Sequence, residues 1–278
     1  MDNLYSLPPL LSQTLNLLGR FSVRIPSLMI RPFLLRPLPY PCKSFHRAFL
    51  KTGKASLLKT PKGKIKLWTW NEQKPLVLFS HGWSGRGVQF WKMAQALIDQ
   101  NFGVILFDHY GHGKSQGQFT TIFDFIETHQ ALIDRYDNVE YFIGHSLGAL
   151  TGSLVLEESL SVKKVVYISP AIGLDEMTHF YFSNASLDAE IYQQLRKDVQ
   201  RKYKFEWQHY SLRHLKKQNR RPTLVLHDRG DQEVDFKAVQ EIVKDWPLTN
   251  FQLSEGLGHY RILRDREIIK KVTHFLDS

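Results

Sequence analysis

The sequence predicts an α/β fold: a mostly parallel twisted sheet flanked by helices and interrupted by one helical insertion. Three observations predict it. Short, continuously apolar runs such as Leu76 to Phe79 and Val104 to Phe107 have the length of fully buried strands. They alternate with segments of helical periodicity, the βαβ pattern of a parallel sheet with right-handed crossovers. After Pro170 the alternation breaks, and a stretch rich in charged and aromatic residues fills the gap to Thr223.

The first sixty residues stand apart. Prolines at 8, 9, 26, 32, 37, 39 and 41 are interleaved with Arg20, Arg24, Arg31, Arg36 and Lys43. Proline fixes φ and has no backbone N–H, so this spacing predicts an extended leader with short helical pieces. The leader is expected to pack on the core or to lay its Phe, Leu and Ile side chains on a membrane surface beside the arginines. The main domain is expected over residues 61–278. Lys64 to Trp70 alternates polar and apolar, as a half-buried strand does. The buried run Leu76 to Phe79 ends in His81-Gly82. Phe90 to Gln100 has helical spacing through Phe90, Met93, Ala94 and Leu97. The strand Val104 to Phe107 closes on Asp108 and glycines. A helix follows through Ile122, Phe125, Ile126, His129 and Ile133. Next come a strand at Tyr141 to Ile143, a helix at Leu147 to Leu156 and a strand at Val165 to Ile168. Beyond the insertion at about 171–221 the pattern resumes. It runs through the strand Thr223 to Leu226, the helix Val234 to Lys244, the strand Phe251 to Leu253 and a last helix through Ile268, Val272 and Phe275.

Composition narrows the function classes. A single cysteine, Cys42, leaves no partner for an intrachain disulfide. Leu4 to Leu18 is apolar but lacks a preceding Lys or Arg and contains Pro8 and Pro9, so no secretory signal is expected. No uninterrupted apolar run approaches the ~18 residues of a membrane span. A cytoplasmic location is the expectation. The net charge of +10 attracts anionic partners. No helix-turn-helix, zinc-finger or aromatic RNP pattern accompanies it, so nucleic acid is not expected, whereas weak peripheral membrane association is. Oligomeric state has no signature.

The chemistry-bearing signal is Gly144-His145-Ser146-Leu147-Gly148, set between a strand and a helix. A serine in a sharp strand-to-helix turn lifts its Oγ clear of the sheet, and only small residues fit two positions either side. A hydroxyl needs a base and an orienting acid, expected in the chain order Ser, Asp or Glu, His. The acid belongs after the strand Thr223 to Leu226, where Asp228 and Asp231 both stand. Asp231 is preferred, because its distance past the strand leaves room to turn toward an imidazole. Asp228 is suited to holding the turn. The base is His259, in the loop Gly256-Leu257-Gly258-His259 after the last strand. Oxyanion donors are expected from the amides of Leu147 and Trp83, the latter in His81-Gly82-Trp83-Ser84-Gly85. Pocket candidates are Trp83, His145, Phe180 and Tyr181, with Phe182, Ile191 and Tyr192 as further apolar cap residues. The cluster Asp108 to Ser115 reads as a hydrogen-bonded turn beneath the site floor. His81, His109, His112, His145 and His259 all fall at strand ends, but without compact ligand spacing, so neither a metal nor a cofactor is expected.

Together these residues resemble the α/β-hydrolase superfamily from about Lys64 to the C-terminus. His81-Gly82, Asp108 with Gly111-His112-Gly113 and Ser115, and the Ser146 pentapeptide are similar to its esterase, monoacylglycerol-lipase-like and thioesterase-like branches. Gly258 to Asp265 is similar to the catalytic-histidine segment of bacterial members. The resemblance implies a Ser146–Asp231–His259 triad, an oxyanion hole at Trp83 and Leu147, and a cap at Ala171 to Arg221. Two features depart from the pattern. Asp228 stands where a glycine is usual, and the leader lies outside the motif-bearing region. The function implied is hydrolysis of a carboxylic ester or thioester with an apolar acyl chain. The alternative is a non-catalytic protein of the same fold that binds a ligand or partner.

Overall fold

The computed structural model describes residues 7–156, 161–215 and 220–278. Helices α1 (Pro9–Gly19), α2 (Arg24–Leu35) and α3 (Ser44–Lys51) precede strands β1 (Lys54–Lys59), β2 (Lys64–Trp70) and β3 (Leu76–Ser80). Then α4 (Trp91–Asp99), β4 (Gly103–Asp108), α5 (Ile122–Arg135), β5 (Val139–His145), α6 (Leu147–Leu156) and β6 (Lys164–Ile168) alternate. Three helices fill the insertion: α7 (Leu174–Asn184), α8 (Ala189–Tyr203) and the short α9 (Leu212–Leu215). The chain closes with β7 (Thr223–Asp228), α10 (Phe236–Val243), β8 (Thr249–Ser254), α11 (Gly258–Arg261) and α12 (Arg266–Asp277).

The eight strands form one sheet in the order β1-β2-β4-β3-β5-β6-β7-β8. β1, β2 and β4 pair antiparallel, and every pair from β4 to β8 is parallel. This is the α/β-hydrolase fold. Alternate residues of the central strands face opposite layers. Leu78, Phe107, Phe142 and Tyr167 pack under α5, α6 and α10, whereas Phe79, Leu106, Ile143 and Ile168 pack under α4 and α12. Burial on both faces explains why these strands are apolar runs rather than alternating ones. From β3 the chain crosses to β4 on one side and returns to β5 on the other. The carboxyl ends of β3 and β5 therefore flank a crevice, the usual ligand position of an open α/β sheet.

The leader is more helical than the expected extended segment with short helical pieces. α1 and α2 are full helices of 11 and 12 residues that pack on α8 of the insertion. The prolines permit this. Pro9 opens α1 and Pro26 lies in the first turn of α2, where a missing N–H leaves no helical bond unmade. Only Pro32 falls inside a helix. Arg31 anchors the pair by a 2.7 Å salt bridge to Asp198 of α8. The expected boundary at residue 60 also shifts, because β1 already pairs with β2 from Lys54. β1 is an edge strand whose exposed positions are Lys54, Ala55, Leu57 and Lys59, and it carries little of the periodicity that marks a buried strand.

Candidate active site

β5 runs directly into α6 through Ser146, whose φ is +52°. A non-glycine residue held in the left-handed region is strained, and here the surroundings enforce it. The Ser146 N–H donates to the Ile168 carbonyl at 3.1 Å, and the Ser146 carbonyl accepts from Ala149 and Ala171. The flanking glycines are needed for close approach. A Cβ on Gly144 would collide with the Ala149 backbone, and one on Gly148 would collide with the His81 carbonyl. Across the crevice, a Cβ on Gly82 would stand 2.8 Å from the Ser146 Cβ and 3.3 Å from its Oγ. The loop after β3 thus abuts the serine. Among the described residues, the N–H groups of Trp83 and Leu147 donate to no protein acceptor.

The two aspartates beyond β7 separate cleanly. Asp228 accepts from the amides of Gly230 and Gly258 and, through its other oxygen, from the Leu257 amide and Ser254 Oγ. Burial opposes its charge, but these four donors outweigh that and lower its pKa. It ties the loop after β8 to the end of β7. Asp231 turns toward the loop after β8 instead, its carboxylate fully buried. One oxygen accepts from the Glu233 and Val234 amides, and the other accepts from His259 Nδ1 at 2.8 Å. His227 Nε2 lies 3.3 Å from that same oxygen while also bonding the Val234 carbonyl. Burial again works against the charge. The bonds from His227 and His259 overcome it and hold Asp231 far below the usual carboxylate range. His227 is a partner that sequence reasoning missed; its position four residues before Asp231 is the only signal it offered.

His259 is buried, which penalises its cationic form. The hydrogen bond and charge of Asp231, aided by Glu233 at 3.7 Å from Nε2, more than compensate and raise its pKa. Its carbonyl accepts from His145 Nε2 at 2.9 Å. Gln89 donates to His145 Nδ1, so both nitrogens are occupied, and burial drives the His145 pKa well down. His145 therefore does not line a pocket as expected. It sits beneath His259 and steers it.

The other strand-end histidines are also committed. His81 accepts the His109 amide on Nε2 and donates from Nδ1 to the Gly82 carbonyl. His112 accepts the Ser84 amide, and His109 and His129 share Ser80 Oγ. Burial pushes His81, His112 and His129 down to about 3, so these imidazoles are neutral scaffolding for the loop that carries Trp83. Asp108 closes the floor with a buried salt bridge to Arg86 and bonds from the Gly87 and Lys114 amides.

Two cavities open beneath the insertion. One of about 200 Å³ is lined by Ser146, Phe180, Tyr181, Glu176, Glu233 and Asp235. The other, about 120 Å³ and chiefly apolar, is lined by Trp83, Phe123, Trp207 and Leu34. Met177 and Tyr181 border both. Phe180 and Tyr181 thus line the cavity at Ser146, and Trp83 lines the apolar one. Phe182, Ile191 and Tyr192 line neither. With Leu195 they form a separate small core that joins the insertion to the leader.

Residues 71–215 match the family described as serine aminopeptidase, S33. Among curated proteins, the chain is 32% identical over 111 residues to "Putative carbamate hydrolase RutD" of Yersinia enterocolitica, covering 38% of this chain and 40% of that protein. The same-named protein of Serratia proteamaculans is 30% identical over 113 residues. The chain thus spans about two fifths of the length of the curated relatives it matches. Among solved structures, an esterase of Pyrococcus furiosus superposes with a TM-score of 0.65 at 21% identity, over 87% of this chain and 96% of that one. Est1E of Butyrivibrio proteoclasticus, bound to ferulic acid, superposes with a TM-score of 0.63 at 19% identity, over 81% and 100%. At these identities the likeness to solved structures is one of fold.

Proposed function

We propose that this chain, which belongs to the serine aminopeptidase, S33, family and is a hydrolase of the α/β fold, cleaves a carboxylic ester or thioester through an acyl-enzyme on Ser146. The observation that carries this reading is the buried Asp231–His259 hydrogen bond of 2.8 Å, with the His259 ring centred 4.6 Å from that of His145, the neighbour of the left-handed Ser146.

With Nδ1–H held by Asp231, His259 keeps Nε2 as the base. It takes the Ser146 proton as Oγ attacks the acyl carbon. The N–H groups of Trp83 and Leu147 have no other acceptor, and they receive the oxyanion that forms. His259 then returns the proton to the leaving oxygen or sulfur. A water, deprotonated by the same nitrogen, attacks the acyl-enzyme, and collapse frees Ser146 and the acid. Asp231 stays ionised throughout because His227 and two amides stabilise its charge, so it orients the imidazole and balances the imidazolium.

The cavities argue for the substrate class. The apolar one beside Trp83 fits a hydrocarbon acyl chain better than a small polar carbamate. Glu176, Glu233 and Asp235 around Ser146 repel a polyanionic thioester carrier and favour a neutral alcohol leaving group.

Labelling with a fluorophosphonate probe and mass mapping of the adduct tests the mechanism. The expected result is a single adduct on Ser146 that disappears in His259→Ala. Absence of labelling in folded protein would overturn it. Turnover of p-nitrophenyl esters of graded chain length, set against an aryl carbamate and a CoA thioester, then tests the substrate class. A preference for the carbamate would replace the ester.

A further inference from the structure

We propose that the α1–α2 hairpin is a docking surface for an anionic lipid bilayer. The outward stripes of the two helices are apolar at helical spacing. Leu10, Leu17 and Phe21 lead along and beyond α1, and Ile25, Leu28, Met29 and Phe33 lead along α2. Phe21 is 85% exposed, Leu10 76% and Phe33 57%. The inward stripes bury Leu15 and Ile30 together with Ser12 and Ser27, whose hydroxyls return to their own helix backbones, so both faces of the hairpin carry large apolar side chains. A helix on a water-facing surface normally turns polar side chains outward. The pattern is also local. Eight of the twelve large apolar side chains exposed among the described residues lie between Leu10 and Leu38.

Charge selects the occupant. No Asp or Glu occurs between Asp2 and Glu72, while Lys and Arg occur twelve times in that interval. Arg20, Arg24 and Arg36 are exposed around the apolar stripe, whereas Arg31 turns inward to Asp198. A second copy of this chain, docked symmetrically, would set these arginines against their own equivalents. An anionic headgroup layer over a hydrocarbon interior satisfies both the charge and the apolar face. The inward side of the same helix carries Leu34 and Leu35 to the wall of the apolar cavity. That cavity therefore lies about one helix diameter, roughly 10 Å, from the docked face.

Flotation of the full chain with phosphatidylcholine vesicles, with and without phosphatidylglycerol, tests the proposal. It reads partitioning alone, so its outcome is independent of any chemistry at Ser146. Binding about 100-fold tighter to the phosphatidylglycerol vesicles is expected from three arginines, and it should fall steeply with added salt. Phe21→Ser with Phe33→Ser, both at exposed positions, should weaken binding at least about tenfold at an unchanged circular dichroism spectrum. Arg20→Gln with Arg24→Gln should cut the lipid-charge preference to about fivefold, the share left to Arg36. Equal partitioning of wild type and the Phe variant would overturn the proposal. So would a salt-independent dimer with no vesicle binding.

Discussion

At the strand ends, polar groups are buried and the carboxylates are fully matched: Asp228 takes four hydrogen bonds, Asp231 is held by two amides and two imidazoles, and His81 uses both ring nitrogens, whereas His109, His129 and His227 each bond through Nε2 alone. In the layer of insertion and leader above them, the polar contacts between elements are part-exposed, among them Arg31–Asp198, Arg196–Asp175 and the Asn16 amide with the Ser186 carbonyl, and apolar side chains face outward. The difference teaches where geometry is fixed and where it is adaptable. A buried network in which the charged groups are fully paired permits one arrangement, because displacing a partner leaves a costly unpaired carboxylate. A helical layer held chiefly by apolar contact and part-exposed ion pairs tolerates change, which suits the wall of an apolar cavity.

The largest break in that comparison is expected at the proton-moving groups. Ser146→Ala should lower kcat by on the order of 10⁴-fold with little change in melting temperature, read by ester turnover and calorimetry. Asp231→Asn should cause a loss of similar size, because the imidazole then loses its orienting acceptor. Asp228→Asn should do the opposite. It should reduce stability by about 2 kcal/mol, seen in denaturant titration, while the folded fraction keeps most of its turnover. If Asp228→Asn silences a fully stable protein, the two aspartates have been assigned the wrong way round.

A smaller effect is expected at the cavity wall. Leu34→Phe should reduce kcat/KM for long-chain esters about tenfold relative to short ones, measured on a graded series. A uniform change across the series would detach the leader from substrate selection. The pH dependence sharpens the link between Glu233 and the base. His259 must be neutral to act, and Asp231 and Glu233 together raise its pKa against the opposing effect of burial. Activity should therefore rise with pH along a limb placed above 6.5, the ordinary imidazole value. Glu233→Gln removes one of the raising charges, so the limb should move to lower pH. A limb that stays put would show that Glu233 does not face the imidazole in turnover. The smallest effect belongs to Arg31→Ala, which should cost up to about 1 kcal/mol for a part-exposed pair. It should be detected chiefly as faster proteolysis around residues 20–24.

The strands, the elbow and the order of candidate groups were legible because each rests on local signals: apolar runs of strand length, small residues around a strained serine, and glycines before a histidine. Leu76 to Phe79 and Val104 to Phe107 need no distant partner to be recognised as buried on both faces. The leader was misread for an equally local reason. Proline usually marks extended chain, yet Pro9 and Pro26 occupy the helical positions that tolerate it, and the apolar spacing from Leu10 to Phe33 was the contrary signal. β1 escaped notice because an exposed edge strand need not alternate clearly.

What the sequence by itself determined is the buried strands, the glycine-flanked turn at Ser146 and a chain order of serine, an aspartate after β7 and a histidine after β8, since these follow from periodicity and backbone sterics within a few residues. What only the tertiary structure decided is who meets whom. Asp228 and Asp231 are three residues apart with the same carboxylate, and their roles divide only because Gly258 and Leu257 fold back onto one while His259 reaches the other. His145 lies beside the serine in sequence but is turned under His259, and α2 becomes a cavity wall only by packing on α8. Such contacts join residues more than a hundred positions apart, and no local pattern encodes them. They arise when the sheet closes, the buried polar groups find partners, and the helices cover what remains.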